Sequence, residues 1–94
     1  MFDLKIKNGN EVFISGRLNA SVTTKLVESL NTIKDNCIID FKELEYISSA
    51  GLGELIQTYS RLKKSDKSIK LINMNSHIRE VFKICGLDKV FIIE

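Results

Sequence analysis

Phe2, Leu4 and Ile6 alternate with Asp3, Lys5 and Lys7, the period-two pattern of a strand with one buried face. Asn8-Gly9-Asn10 interrupts it with residues that accept positive φ, which predicts a hairpin turn. Glu11-Val12-Phe13-Ile14-Ser15 returns as a second strand, and Gly16-Arg17-Leu18-Asn19 leaves it. From Ala20 the period lengthens. Val22, Leu26, Leu30 and Ile33 fall on one helical face. Asn19 or Ser21 can cap that helix, and Asp35-Asn36 ends it. Cys37-Ile38-Ile39-Asp40-Phe41 is a short apolar run with one acid, as expected of a parallel strand buried on both faces. A loop, Lys42 to Tyr46, follows.

Leu52, Leu55, Ile56, Tyr59 and Leu62 then recur at helical spacing. The end of this helix, Arg61-Leu62-Lys63-Lys64, is cationic, which suits the negative pole of a helix. Ile69-Lys70-Leu71-Ile72 reads as a fourth strand. Ser76 caps a third helix carrying Ile78, Val81, Phe82 and Cys85, and Gly86 ends it in the left-handed conformation. Val90-Phe91-Ile92-Ile93 is the last strand. The order ββαβαβαβ predicts an α/β domain, a mixed sheet of four to five strands with helices mainly on one face. The 94 residues fit one domain spanning 1–94, without linker or repeat.

Composition narrows the function. Hydrophobic residues make up 44% and charged residues 28%, which is globular rather than disordered. A net charge of +2 without a dense basic stripe argues against direct nucleic-acid binding. Cys37 and Cys85 both sit in apolar runs and read as buried free thiols. The alternating start is unlike a signal peptide, and no run approaches the roughly 18 apolar residues of a membrane span. The expectation is a cytoplasmic protein with no membrane contact.

The chemistry-bearing stretch is Ser48-Ser49-Ala50-Gly51-Leu52-Gly53, between a strand and a helix. Hydroxyls there face backbone N–H groups that lack helical partners, and negative charge is favoured at that pole. Glycines at Gly51 and Gly53 would let another protein approach the backbone. A serine in this place is also an ordinary helix cap.

Four segments in order resemble the STAS domain family of bacterial anti-sigma-factor antagonists. They are Gly16-Arg17-Leu18-Asn19, then Ile38-Ile39-Asp40-Phe41 with Leu44, Tyr46 and Ile47, then Ser48 to Gly53, then Phe82 with Gly86-Leu87 and Phe91. The resemblance implies a partner switch rather than an enzyme, with no catalytic residues, metal or cofactor. The unmodified domain would bind an anti-sigma factor that is also a serine kinase. Phosphorylation of Ser49, or alternatively Ser48, would release it, and a serine phosphatase would reset the switch. The implied docking surface comprises Arg17, Asn19, Ser48, Ser49, Gly51, Leu52 and Gly53. Two positions depart from the family: Ser48 and Asn19 stand where it carries aspartates.

Other constellations are weaker. His77 is the only histidine and reads as a surface residue. Asp40 reads as bonding to the following loop, with a place near the switch serine as the sharper reading. Arg61, Lys63, Lys64, Lys67 and Lys70 read as a solvated face. Two rival functions are a STAS adaptor that is never phosphorylated and a small-molecule or lipid-transport accessory. A monomer or weak dimer is expected.

Overall fold

In a computed structural model, all 94 residues are described. The strands are β1 (Phe2–Lys7), β2 (Glu11–Leu18), β3 (Cys37–Ile47), β4 (Ile69–Ile72) and β5 (Ile92–Ile93). The helices are α1 (Thr23–Leu30), α2 (Ser49–Lys63) and α3 (Ser76–Ile84). Short 3-10 turns at Ala20–Val22 and Leu87–Lys89 complete the chain. The sheet order is β1-β2-β3-β4-β5, with β1 antiparallel to β2 and every later pair parallel. Each crossover steps one strand in the same direction. Right-handed connections therefore stack α1, α2 and α3 on one face, as the alternation predicts. Twenty-two buried apolar residues form one core between that face and the helices.

The hairpin follows its sequence signal: Asn8 and Gly9 take φ of 54° and 76°. β2 runs further than expected, through Gly16 and Arg17 to Leu18. Gly16 has φ +82°, and a Cβ on it would stand 1.5 Å from the Met1 carbonyl oxygen. That crowding is why the strand is interrupted in residue type but not in pairing.

β3 differs most from expectation. Lys42 to Tyr46 is strand rather than loop. Two irregularities, opposite Phe13–Ser15 and Gly16–Arg17, insert extra residues into β3. Buried positions consequently fall at Cys37, Ile39 and Phe41 and then at Leu44 and Ile47. Bulges change the period from two to three locally, and a strand with that spacing does not look like one. Nor is the Cys37–Phe41 run buried on both faces: Ile38 is 37% exposed, because no helix covers that side.

Smaller departures have local causes. α1 stops at Leu30, short of Asp35, while Ile33 is buried from the turn that follows. Asn75, rather than Ser76, caps α3, its Oδ1 accepting from the N–H of Ile78 at 2.8 Å. Ile56 is 37% exposed, and Thr58 takes its place in the core. β5 shrinks to Ile92–Ile93 because the amides of Val90 and Phe91 bond back to the Leu87 carbonyl. Gly86 does end α3 at φ 74°. Cys37 is buried as expected, but Cys85 is exposed. No helix is long and apolar enough to cross a membrane.

Candidate functional site

The carboxyl ends of β2 and β3 set the start of α2. Leu18 pairs with Ile47, and the Ser48 amide donates to the Leu18 carbonyl at 2.8 Å. Ser48 is thus held at the carboxyl end of the sheet in an extended conformation, φ −87° and ψ 166°, the geometry of an N-cap. Its hydroxyl accepts from the Gly51 amide at 3.1 Å, and its carbonyl accepts from the Leu52 amide at 2.9 Å. Ser48 is half-buried and its hydroxyl is occupied. Ser49, the first helical residue, is exposed.

The two glycines of this turn differ in role. Gly51 is buried, and a Cβ there would lie 2.9 Å from Leu18 Cγ and 3.2 Å from Ile47 Cγ1. It permits close approach of α2 to the sheet, not of a partner to α2. Leu52 is buried too, at 7% exposure. The expectation that Gly51 and Leu52 line a docking surface is therefore corrected: both face the core. Gly53 is different. A Cβ there would meet nothing within 4 Å, so its backbone is open to a neighbour. Ser49, Ala50 and Gly53 supply the accessible first turn, and Ile56 continues it one turn on. The sequence reading includes Ala50 in the Ser48–Gly53 stretch and Ile56 on the apolar helix face, but neither in the docking surface. Apolar spacing assigned Ile56 to the core, and nothing in the residue type marks Ala50.

Arg17 and Asn19 flank this turn. Arg17 pairs with Tyr46 across β2 and β3, with its guanidinium 4.5 Å from the ring centroid. The stack holds an exposed cation by cation–π attraction. Asn19 Oδ1 accepts from the Ser21 amide at 3.1 Å and the Ser21 hydroxyl at 2.6 Å. Asn19 and Ser48 are thus both caps, a task that Asn, Asp and Ser perform about equally. The two departures from the family spelling keep the capping chemistry and lose the charge. No acid lies in the first turn of α1, α2 or α3, so the positive poles of the helices are uncompensated there.

Asp40 is not part of this site. Its carboxylate accepts from the Lys42 amide at 2.8 Å and from Asn73 Nδ2 at 3.2 Å. The run of β3 separates it from Ser48 by on the order of 20 Å. The basic stretch also resolves into separate roles. Arg61 donates to the carbonyls of Ile33 and Leu30, at 2.9 and 2.8 Å, and so closes the end of α1. Lys67 and Lys70 pair with Asp35 and Glu94. His77 is exposed. No group of three or more His, Cys, Asp or Glu side chains is arranged to hold a metal. The largest concavity, about 480 Å³, lies on the helix-free face of the sheet and includes none of Ser48, Ser49 or Gly53.

The family model described as "Mlab, STAS domain" matches residues 7–94, and the chain belongs to the STAS domain family. The anti-sigma-B factor antagonist of Bacillus subtilis is 29% identical over 89% of this chain and 80% of its own length. That of Listeria monocytogenes is 25% identical over 89% and 77%. Among solved structures, an anti-sigma factor antagonist from Mycobacterium paratuberculosis superposes with TM-score 0.82 at 22% identity, covering 99% of this chain and 83% of that one. The phosphorylated form of the Bacillus cell fate determinant SpoIIAA gives 0.73 at 21%, covering 100% and 91%. These two likenesses share the fold of this chain.

Proposed function

We propose that this chain is an anti-sigma-factor antagonist that binds an anti-sigma factor with serine-kinase activity through the start of α2 and is released when Ser49 is phosphorylated. It acts in the cytoplasm by binding rather than catalysis, and a serine phosphatase restores the binding form. Among the observations that support this reading, one carries it. Ser49 presents a free, exposed hydroxyl beside the open backbone of Gly53, whereas the Ser48 hydroxyl is half-buried in a cap. Ser49 is therefore the acceptor and Ser48 the residue that positions it. The names of the relatives support the role; Ser49 as the switch rests on the geometry.

The physics follows from where the charge would sit. A phosphoryl group adds roughly −1.5 to −2 charges. At a helix N-terminus free of acids, that charge is tolerated by the domain. In a partner interface closed over small residues it is desolvated without a counter-ion. Such a loss is about 3–5 kcal/mol, or two to three orders of magnitude in affinity.

The test is affinity capture from native lysate with wild type, Ser49→Ala and Ser49→Asp. Capture of a kinase-like anti-sigma factor by the first two and not the third supports the switch. Equal capture by all three overturns it in favour of a phosphorylation-independent adaptor. That second reading is favoured by the uncharged caps Asn19 and Ser48.

A further inference from the structure

β1 is an outer strand of the sheet and pairs on one side only. Two backbone bonds show which of its groups are left over. The Arg17 amide donates to the Met1 carbonyl at 3.1 Å, and the Ile38 amide to the Asn10 carbonyl at 3.0 Å. Bonding groups alternate along an antiparallel pair. Glu11, Phe13 and Ser15 therefore turn theirs toward β1, where they meet Lys7, Lys5 and Asp3. The N–H and C=O groups of Phe2, Leu4 and Ile6 point out of the edge, and no loop bonds to them.

Natural sheets blunt such an edge with proline, a bulge or a very short strand. β1 uses none of these. The chain has no proline, and the register with β2 is unbroken over all six residues, Phe2 to Lys7. Its length is roughly 20 Å. The other edge, β5, has only two residues. The core side of β1 is also incompletely covered. Leu4 and Ile6 are half-buried, while their cross-strand partners Ile14 and Val12 are 2% and 1% exposed.

The sequence of β1 is complementary to itself. When a second β1 is laid antiparallel with Leu4 opposite Leu4, Phe2 faces Ile6 and every outward N–H and C=O on both strands finds a partner. Asp3 of each copy then faces Lys5 of the other, in the closely spaced pairs where side chains approach most. A slip of two residues in pairing sets Asp3 against Asp3 or Lys5 against Lys5 and leaves end groups unbonded. A slip of one sets outward groups against inward ones. Lysines on an edge normally deter pairing; with Asp3 two residues before Lys5, the charge selects one register. Asp3 lies 3.7 Å from Lys25, but both side chains are more than half exposed, and such a surface pair contributes little.

We propose that β1 is the seam of a homodimer, in which two copies pair their β1 strands about a twofold axis at Leu4. The two five-stranded sheets then run on as one, and the half-buried Leu4 and Ile6 gain an apolar neighbour. The contact is isologous and smaller than a standard interface, so the dimer is weak. Ser49 follows β3, two strands in from this edge. Pairing leaves it open, and the proposal is independent of its role.

The full 15N-labelled chain is followed by sedimentation velocity and amide shifts from about 20 µM to about 2 mM. The expected result is a dimer with a dissociation constant between about 10 µM and 1 mM, with shifts centred on Phe2, Leu4 and Ile6. Asp3→Lys and Lys5→Asp, both at exposed sites, should each weaken it at least tenfold. Their equimolar mixture again sets opposite charges face to face and should restore association to within about threefold of wild type. A wild type that stays monomeric at about 2 mM overturns the proposal. So does a dimer that neither variant weakens, a mixture that stays monomeric, or shifts centred on α2 or on β3–β5. Monomeric wild type whose β1 amides shift with a synthetic Thr-Val-Thr-Val-Thr peptide overturns it in favour of a foreign strand at this edge.

Discussion

Leu18 and Gly51 touch across the seam between β2 and α2: a Cβ on Gly51 would stand 2.9 Å from Leu18 Cγ, and Leu18 is fully buried. The carboxyl end of β2 and the first turn of α2 are thereby pressed together with no room for a methyl group. This contact fixes where Ser49 emerges.

Gly51→Ala tests the seam. Alanine gains up to about 1 kcal/mol in helix propensity, but overpacking a closed core costs about 1–3 kcal/mol. The expected outcome is a net loss of about 1–2 kcal/mol, read from the urea unfolding midpoint. Gly53→Ala, at an open helical position, should gain stability by up to about 1 kcal/mol. Equal effects at both glycines would refute the seam.

The two serines should separate cleanly. Ser48→Ala removes the hydroxyl that accepts from the Gly51 amide and should cost about 1 kcal/mol. Ser49→Ala, at an exposed site, should stay within about 0.5 kcal/mol of wild type. Ser48→Asp should retain most of the cap. Thermal unfolding of the three variants decides the matter.

Arg61 acts as a distant cap for α1 through the carbonyls of Leu30 and Ile33. Arg61→Met leaves both carbonyls without their charged donor, and the expected loss is about 2–3 kcal/mol. Amide exchange should accelerate in the last turn of α1. A variant with wild-type stability and exchange would return Arg61 to the solvated basic face.

The thiols should react as two populations. Cys85 is exposed and Cys37 buried, so a thiol reagent should modify one equivalent quickly and the second only on unfolding. Burial pushes the Cys37 thiol up from 9.0 to about 11, with the nearby Arg61 charge opposing. In the unfolded chain the thiol ionises first. Between pH 9 and about 11 the native state therefore holds more protons, and stability falls as pH rises. The slope should not exceed about 1.4 kcal/mol per pH unit. Cys37→Ala should remove that component from the difference curve.

The local pattern of the chain determined much of this fold on its own. Alternation in Phe2–Lys7, positive φ at Asn8-Gly9, the helical spacing from Leu52 to Leu62 and the stop at Gly86 each depend on neighbours within a turn or a strand pair, so each is legible in the sequence. The candidate site's strand-to-helix turn was legible as a location, because a hydroxyl-rich turn of this kind is also a local event. Only the tertiary structure decided which serine is free, since both have the same side chain and differ in whether the Gly51 amide reaches it. It alone decided that Gly51 serves Leu18 rather than a partner, and that Arg61 belongs to α1. It also turned Lys42–Tyr46 from loop into strand and left Ile38 uncovered. Bulges arise from the pairing of β3 with β2, and exposure arises from which elements cover a face. Both are contacts between segments distant along the chain, where periodicity carries no information.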